Sequence, residues 1–251
     1  MAGMNFLGHL RLFLFYLKEN LFSFRTGLLW LIAGGTFLLL RLPDLFLRRP
    51  WPWEGYAQLT AGVVLVFYAA LSALLYGAGS FGAERERNLT VFFRSRPLFL
   101  PAVYLLRLLS AFLVCLFTGI PGWLLITGAR PVYAADLLAG TLPGLLFGQL
   151  AYVALFGLFG LFLRRPTFGA VLYCFFFEAA LGAMPGIIKR LTVAFYVRCL
   201  AYAKLGIKPP EGELLFAGLP PDLAIKILGG ATICLLLLGL FFARFRELGE
   251  G

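Results

Sequence analysis

Histidine is all but missing from this chain of 251 residues, and the one example, His9, lies outside the long apolar runs. A metal centre built on histidines, or a haem held by a histidine pair, is therefore not expected. Cysteine is scarce too. Cys115, Cys174, Cys199 and Cys234 stand far apart with no CxxC, and three of them fall in apolar runs. They read as small apolar filler, not as a disulfide framework or a zinc site. Neither GxSxG nor GxxxxGK[ST] occurs, which removes the hydrolase nucleophile elbow and the phosphate loop for ATP. Gly77, Gly79 and Gly82 do satisfy GxGxxG, but they close an apolar helix with no strand before it, so packing accounts for them better than a dinucleotide site does. With no nucleophile, base and metal set converging, the chain is not expected to be an enzyme.

Charge is the next shortage. Charged residues make up 14% of the chain against 61% hydrophobic residues, a balance outside the range of soluble domains. The chain reads as a single all-α, polytopic membrane domain over 1–251, with about six transmembrane helices. The net charge of +10 does not point to nucleic acid, because the basic residues are scattered between apolar runs and form no stripe. Anionic lipid headgroups are the simpler partner. The first residues lack the compact basic, apolar and small-residue pattern of a cleaved signal, so the N-terminus is expected to stay in the mature protein.

Residues 5–24 read as a helix lying along the interface, with Arg11, Lys18 and Arg25 on one ridge and Asn5, His9, Tyr16, Asn20 and Ser23 on the other side; the pattern equally fits a leading extension of the first span. A short first span follows at about 26–40. A loop then collects Pro43, Pro50 and Pro52 with Trp51, Trp53 and Tyr56, residues suited to breaking a helix at a membrane boundary. Further spans fall at about 57–81, 102–127, 137–163, 167–183 and 223–243. Between the last two, 184–222 reads as short outer helices, interfacial or re-entrant, because Arg198 and Lys204 inside its apolar part argue against another crossing. Asp136 and Lys226 sit near span ends, where solvent reaches them.

Three features stand out within the spans. Gly140, Gly144 and Gly148 recur every fourth residue around Pro143 and make a flat helical face that lets another backbone come close, more often for internal packing than for a dimer seam. Glu178 is the one acidic residue deep in a span, about 16 Å along its helix. It must face protein or water, as a residue lining a translocation path or as a partner in an interhelical hydrogen bond. Gln149 has the same two readings, leaning to the second.

The charge that is present concentrates between the second and third spans. Glu84, Arg85, Glu86, Arg87, Arg94, Arg96 and Arg107 crowd into Phe81–Arg107. Such a cluster cannot lie in hydrocarbon, so it forms a polar face at one membrane surface, where a soluble partner can dock. Phe92, Phe93 and Phe99 among these charges would supply an apolar anchor. Counting basic residues on each side of the spans puts this loop and both termini in the cytoplasm.

The run Glu84, Arg85, Glu86, Arg87, then Thr90, Ser95, Pro97 and the basic Arg107 resembles the signature of ABC-2 type permeases, the membrane subunits of ATP-binding cassette exporters. Asn88-Leu89 stands before Thr90 where that pattern has a glycine, and Arg107 stands for a lysine. The resemblance extends to the length, the leading interfacial helix, six spans, the elaborated outer section and a closing span ending in arginines. It implies that 82–101 is a cytoplasmic coupling segment, with Glu84, Arg85, Glu86, Arg87, Thr90, Arg94 and Arg96 seated on a separate ATPase subunit. It also implies a second permease copy or a related one, a substrate path between them, and residence in the cytoplasmic (inner) membrane. Cofactors are expected only in the partner chain, as ATP and magnesium. A rival from another class is a non-transport membrane subunit that anchors or assembles a respiratory or envelope complex.

Overall fold

The computed structural model describes residues 3–47, 52–79, 100–181, 187–207 and 219–249. All of the described secondary structure is helical, in the order α1 (Gly3–Leu21), α2 (Phe24–Leu47), α3 (Trp53–Ala78), α4 (Leu100–Thr127), α5 (Pro131–Phe162), α6 (Pro166–Ala180), a 3-10 turn (Ile187–Leu191), α7 (Val193–Leu205) and α8 (Pro221–Gly249). Five of these helices, α2, α3, α4, α5 and α8, are long and apolar enough to cross a membrane. The shorter apolar α6 stands where the sequence places its fifth span. The chain is a polytopic integral membrane protein.

The element boundaries follow from local chemistry, with one departure. Pro131 and Pro166 open α5 and α6 at the first helical turn, where a missing N–H leaves no intrahelical bond unmade. Gly206 closes α7 in the left-handed conformation, φ 64°, which a glycine enters without a Cβ penalty. Pro43, expected to break the first span, lies inside α2, which runs on to Leu47. Prolines also sit within α4 at Pro121 and α5 at Pro143. Neighbouring helices and local adjustment make up for the lost N–H, so proline is a weaker stop here than in water.

The core lies where α3, α4 and α5 meet. It is built from tyrosines, alanines and a tryptophan, with Tyr68, Tyr76, Tyr104, Trp123, Tyr152 and Phe156 fully enclosed. A polar seam runs through it. Trp123 Nε1 donates to Thr141 Oγ1 at 2.8 Å, and Gln149 Nε2 donates to Ser72 Oγ at 3.1 Å while lying against Gly119. These bonds join α4 to α5 and α5 to α3. Helices α2 and α8 are peripheral, with only 17% and 22% of their apolar windows buried. Their exposed leucines and phenylalanines, Leu31, Leu38, Leu39, Leu237 and Phe241 among them, suit lipid contact.

Helix α7 fills the groove beside α5. Its 13 residues span about 20 Å, less than a bilayer core of about 30 Å. The glycine stripe is what admits it: a Cβ on Gly140 would meet the Leu205 side chain, one on Gly144 would stand 3.1 Å from the Val197 carbonyl oxygen, and one on Gly148 would stand 2.8 Å from Val197 Cγ2. These pairings make α7 antiparallel to α5. Its second face meets Ala224 and Leu228 of α8 through Phe195, Cys199 and Leu200.

Candidate functional sites

Two polar assemblies stand out against the apolar bundle, one at the end where α3 stops and α4 starts and one around Glu178. Helix α3 is bonded to the first through Leu75 and Tyr76, and through Gly62 to α7, the helix that the second one caps.

The first assembly lies at the elbow between α1 and α2. The basic ridge expected on one helix is divided there, because α1 ends at Leu21 and Arg25 belongs to the first turn of α2. The turn is closed by Ser23 Oγ and Thr26 Oγ1, both donating to the Asn20 carbonyl. From the elbow, Arg25 donates to the Leu75 carbonyl at 3.0 Å and lies against Gly79, while Thr26 Oγ1 and the Tyr76 hydroxyl are 2.9 Å apart. A few turns earlier, Tyr16 accepts a 2.6 Å bond from Arg107, whose guanidinium also lies 4.6 Å from the centre of the Tyr16 ring. Burial raises the pKa of the Tyr16 hydroxyl, with the Arg107 charge and hydrogen bond pulling the other way. Arg107 is only 2% exposed. The α1–α2 unit therefore grips the last residues of α3 and the first turns of α4, the two roots of the charged segment.

The second assembly is built on Glu178, 7% exposed. Its Oε1 accepts from the Tyr173 hydroxyl at 3.0 Å and from Val193 N at 3.1 Å, and its Oε2 accepts from Ala194 N at 2.9 Å. Val193 and Ala194 open α7, and the first N–H groups of a helix have no acceptor of their own. Thr192, in extended conformation at the N-cap, takes the Phe195 N–H at 3.2 Å. A carboxylate from α6 thus closes the positive end of α7, where both hydrogen bonds and helix dipole favour a negative group. Tyr173 stacks on Phe177 and meets Phe156 and Phe159 edge-on, so an aromatic layer flanks the carboxylate. Tyr152 of α5 also neighbours it, about 16 Å along α5 from Leu163 at 1.5 Å per residue. That is roughly half the thickness of a bilayer core.

Three segments of widened π-helix occur in the described structure, at Thr60–Val64, Leu74–Ala78 and Cys174–Leu181. Each one carries a long-range polar contact. Arg198 Nε of α7 donates to the Gly62 carbonyl at 2.8 Å, Arg25 takes Leu75 as above, and Glu178 lies in the third. π segments are rare and concentrate at functional sites.

Of the residues singled out in the sequence, Glu178 makes an interhelical hydrogen-bond set, Gln149 bridges α5 to Ser72, and Gly140, Gly144 and Gly148 receive α7. Glu84, Arg85, Glu86, Arg87, Thr90, Arg94 and Arg96 lie outside the described residues. Tyr16, Arg25, Tyr173, Thr192 and Arg198 were not singled out as site residues. Thr192 had a local signal, a threonine ahead of an apolar run three residues before the N–H it takes, and Arg198 had one in being a charge within an apolar stretch. Among the described residues, no three His, Cys, Asp or Glu side chains gather where they could hold a metal ion. No family model, curated protein or solved structure matches the chain.

Proposed function

We propose that this chain is the membrane-spanning permease subunit of an ABC exporter, moving its substrate with ATP hydrolysed by a separate subunit docked on the segment after the second span. In this reading the charged run from Glu84 to Arg96 is the docking face, both termini are cytoplasmic, and a second permease copy completes the path. The observation that carries the reading is the way the two roots of the charged segment are fixed. Arg25 and Thr26 fasten the end of α3, and Tyr16 fastens Arg107 of α4. A loop that transmits force needs stiff roots, and polar contacts at both of them to one interfacial unit provide that stiffness. The resemblance of the loop itself, and the lack of any nucleotide motif in this chain, add support.

Glu178 and α7 fit a permease in a second way. Non-helical or broken backbone at membrane depth is tolerated only inside protein or beside a water-filled cavity. A short helix starting at about half depth, capped by a buried carboxylate, is such an arrangement and suits the wall or gate of a path.

The test is gentle extraction of the tagged full chain from its native membrane. A nucleotide-hydrolysing chain should remain bound, and its ATPase rate should rise in the presence of the permease. Replacing Glu84, Arg85, Glu86 and Arg87 by alanine should release it while the melting temperature of the permease stays unchanged. Recovery of a stable complex whose partners hydrolyse no nucleotide would favour the anchoring subunit instead.

A further inference from the structure

We infer that the middle of α3, Leu65–Ala73, is a rotatable segment set between two π hinges, with Arg25 and Arg198 as the latches that hold its present register. A π turn accommodates one more residue than an α turn over nearly the same length. When such a turn moves past a stretch of helix, that stretch rotates by about 100° and shifts by about 1.5 Å. Helix α3 has two of these turns, Thr60–Val64 and Leu74–Ala78, with nine regular residues between them.

Three further observations single out this stretch. First, each hinge is held from outside α3 by a guanidinium on a backbone carbonyl: Arg198 on Gly62 from α7, and Arg25 on Leu75 from the α1–α2 elbow. Side-chain donors that enter a backbone ladder fix where its irregularity sits. Secondly, the later half of the segment is small where it is buried. Ala69, Ala70, Ser72 and Ala73 are enclosed there and Phe67 points outward at 58% exposure, while Leu65, Val66 and Tyr68 are the larger buried side chains that a turn of the rod must carry with it. Thirdly, hydrogen bonding around the segment is incomplete in the present register. The Tyr68 hydroxyl, which lies against Gly122 of α4, and Gln149 Oε1 of α5 are both buried and have no hydrogen-bond partner among the described residues. Buried polar groups are nearly always paired, and a turn of the segment changes what the Tyr68 hydroxyl faces.

One latch, Arg25, belongs to the α1–α2 elbow, and the other, Arg198, to α7, the helix whose N-terminus Glu178 caps. The rod therefore links the roots of the charged segment to α7, whatever pulls on that segment. The inference does not rest on the exporter reading, and a chain with no ATPase partner would still carry the device.

The test is a nitroxide scan of positions 65–73 in the full chain in lipid nanodiscs, with Cys115, Cys174, Cys199 and Cys234 replaced by alanine, reading collision with molecular oxygen at each site. The unmodified register gives a helical oscillation with its maximum at position 67. In a chain carrying Arg25→Gln and Arg198→Gln, whose amides are uncharged and reach less far, the maximum should move by at least one position, and Arg25→Lys with Arg198→Lys, which keep a cationic donor of longer reach, should restore it. An oscillation of unchanged phase in the glutamine pair would overturn the inference. A second measurement needs no variant. In the native chain, backbone amides at 60–65 and 74–79 should exchange with deuterium at least tenfold faster than those at 66–72, and uniform protection along α3 would overturn the inference as well.

Discussion

Replacing Glu178 by alanine tests the α6–α7 junction most sharply. The carboxylate accepts from Tyr173, Val193 and Ala194, and its loss leaves two helix N–H groups and one hydroxyl without their acceptor in the protein interior. An abandoned buried donor costs about 1–3 kcal/mol. Against this, the alanine chain no longer has to bury a carboxylate, a relief of a few kcal/mol. The net expectation is a loss of about 3 kcal/mol, in keeping with the effect of breaking a buried charged network. At about 2–4 °C per kcal/mol for a chain of this size, the melting temperature of the detergent-solubilised protein should fall by roughly 10 °C. Glu178→Gln keeps one carbonyl oxygen but turns an amide N–H toward the second helix donor, so about half that loss is expected. Tyr173→Phe removes a single donor and should cost about 1 kcal/mol. Hydrogen exchange supplies the residue-level check, since the amides of Val193 and Ala194 should exchange much faster in the alanine variant while those in the middle of α5 keep their protection. A melting temperature within 2 °C of the parent, with unchanged exchange at Val193 and Ala194, would refute the capping role. If the proposed transport is measured and Glu178→Gln abolishes it at unchanged stability, the carboxylate would instead be assigned to the proposed path.

Thr192→Ala removes the N-cap acceptor for Phe195 N and should cost about 1 kcal/mol, read as a melting shift of a few degrees. Tyr16→Phe deletes the hydroxyl that Arg107 bonds but keeps the ring beneath the guanidinium. A loss of about 1.5–3 kcal/mol is expected for a hydrogen bond to a charged group, with faster amide exchange in the first turns of α4. Along the glycine stripe, Gly144→Val should destabilise by about 1–3 kcal/mol, because the new side chain meets the Val197 backbone. Gly140→Ala should be milder, because it adds one carbon and meets the Leu205 side chain, which can move, and not backbone. Melting temperatures equal to the parent's in both glycine variants would show that α7 does not lie along this face.

The sequence already displayed the helical class, the approximate spans, the glycine stripe and the isolation of Glu178, because each is written in local composition or in a four-residue period. What it hid depends on tertiary pairing. Glu178 looks like any lone carboxylate until α7 is placed with its N-terminus at the same level. Arg25 continues the seven-residue ridge of Arg11 and Lys18 in the sequence, and only the break after Leu21 turns it toward Leu75. Arg198 signalled that 193–205 was not an ordinary crossing, but its acceptor is a carbonyl in a π turn of α3. No local pattern marks such a turn, since Leu74–Ala78 reads as plain α-helix by propensity. Pro43 misled for a related reason, since the rule that proline ends a helix is calibrated on water-exposed backbone.

The central claim is that the segment after α3 is held by an ATP-hydrolysing subunit. A photo-crosslinking amino acid at Phe92 or Phe93, introduced into the full chain and irradiated in intact cells, asks this directly. The account predicts one dominant crosslinked product whose partner contains a nucleotide-binding P-loop, and loss of that product when Arg94 and Arg96 become glutamate. Crosslinks only to lipid, or to a partner without such a motif, would contradict it.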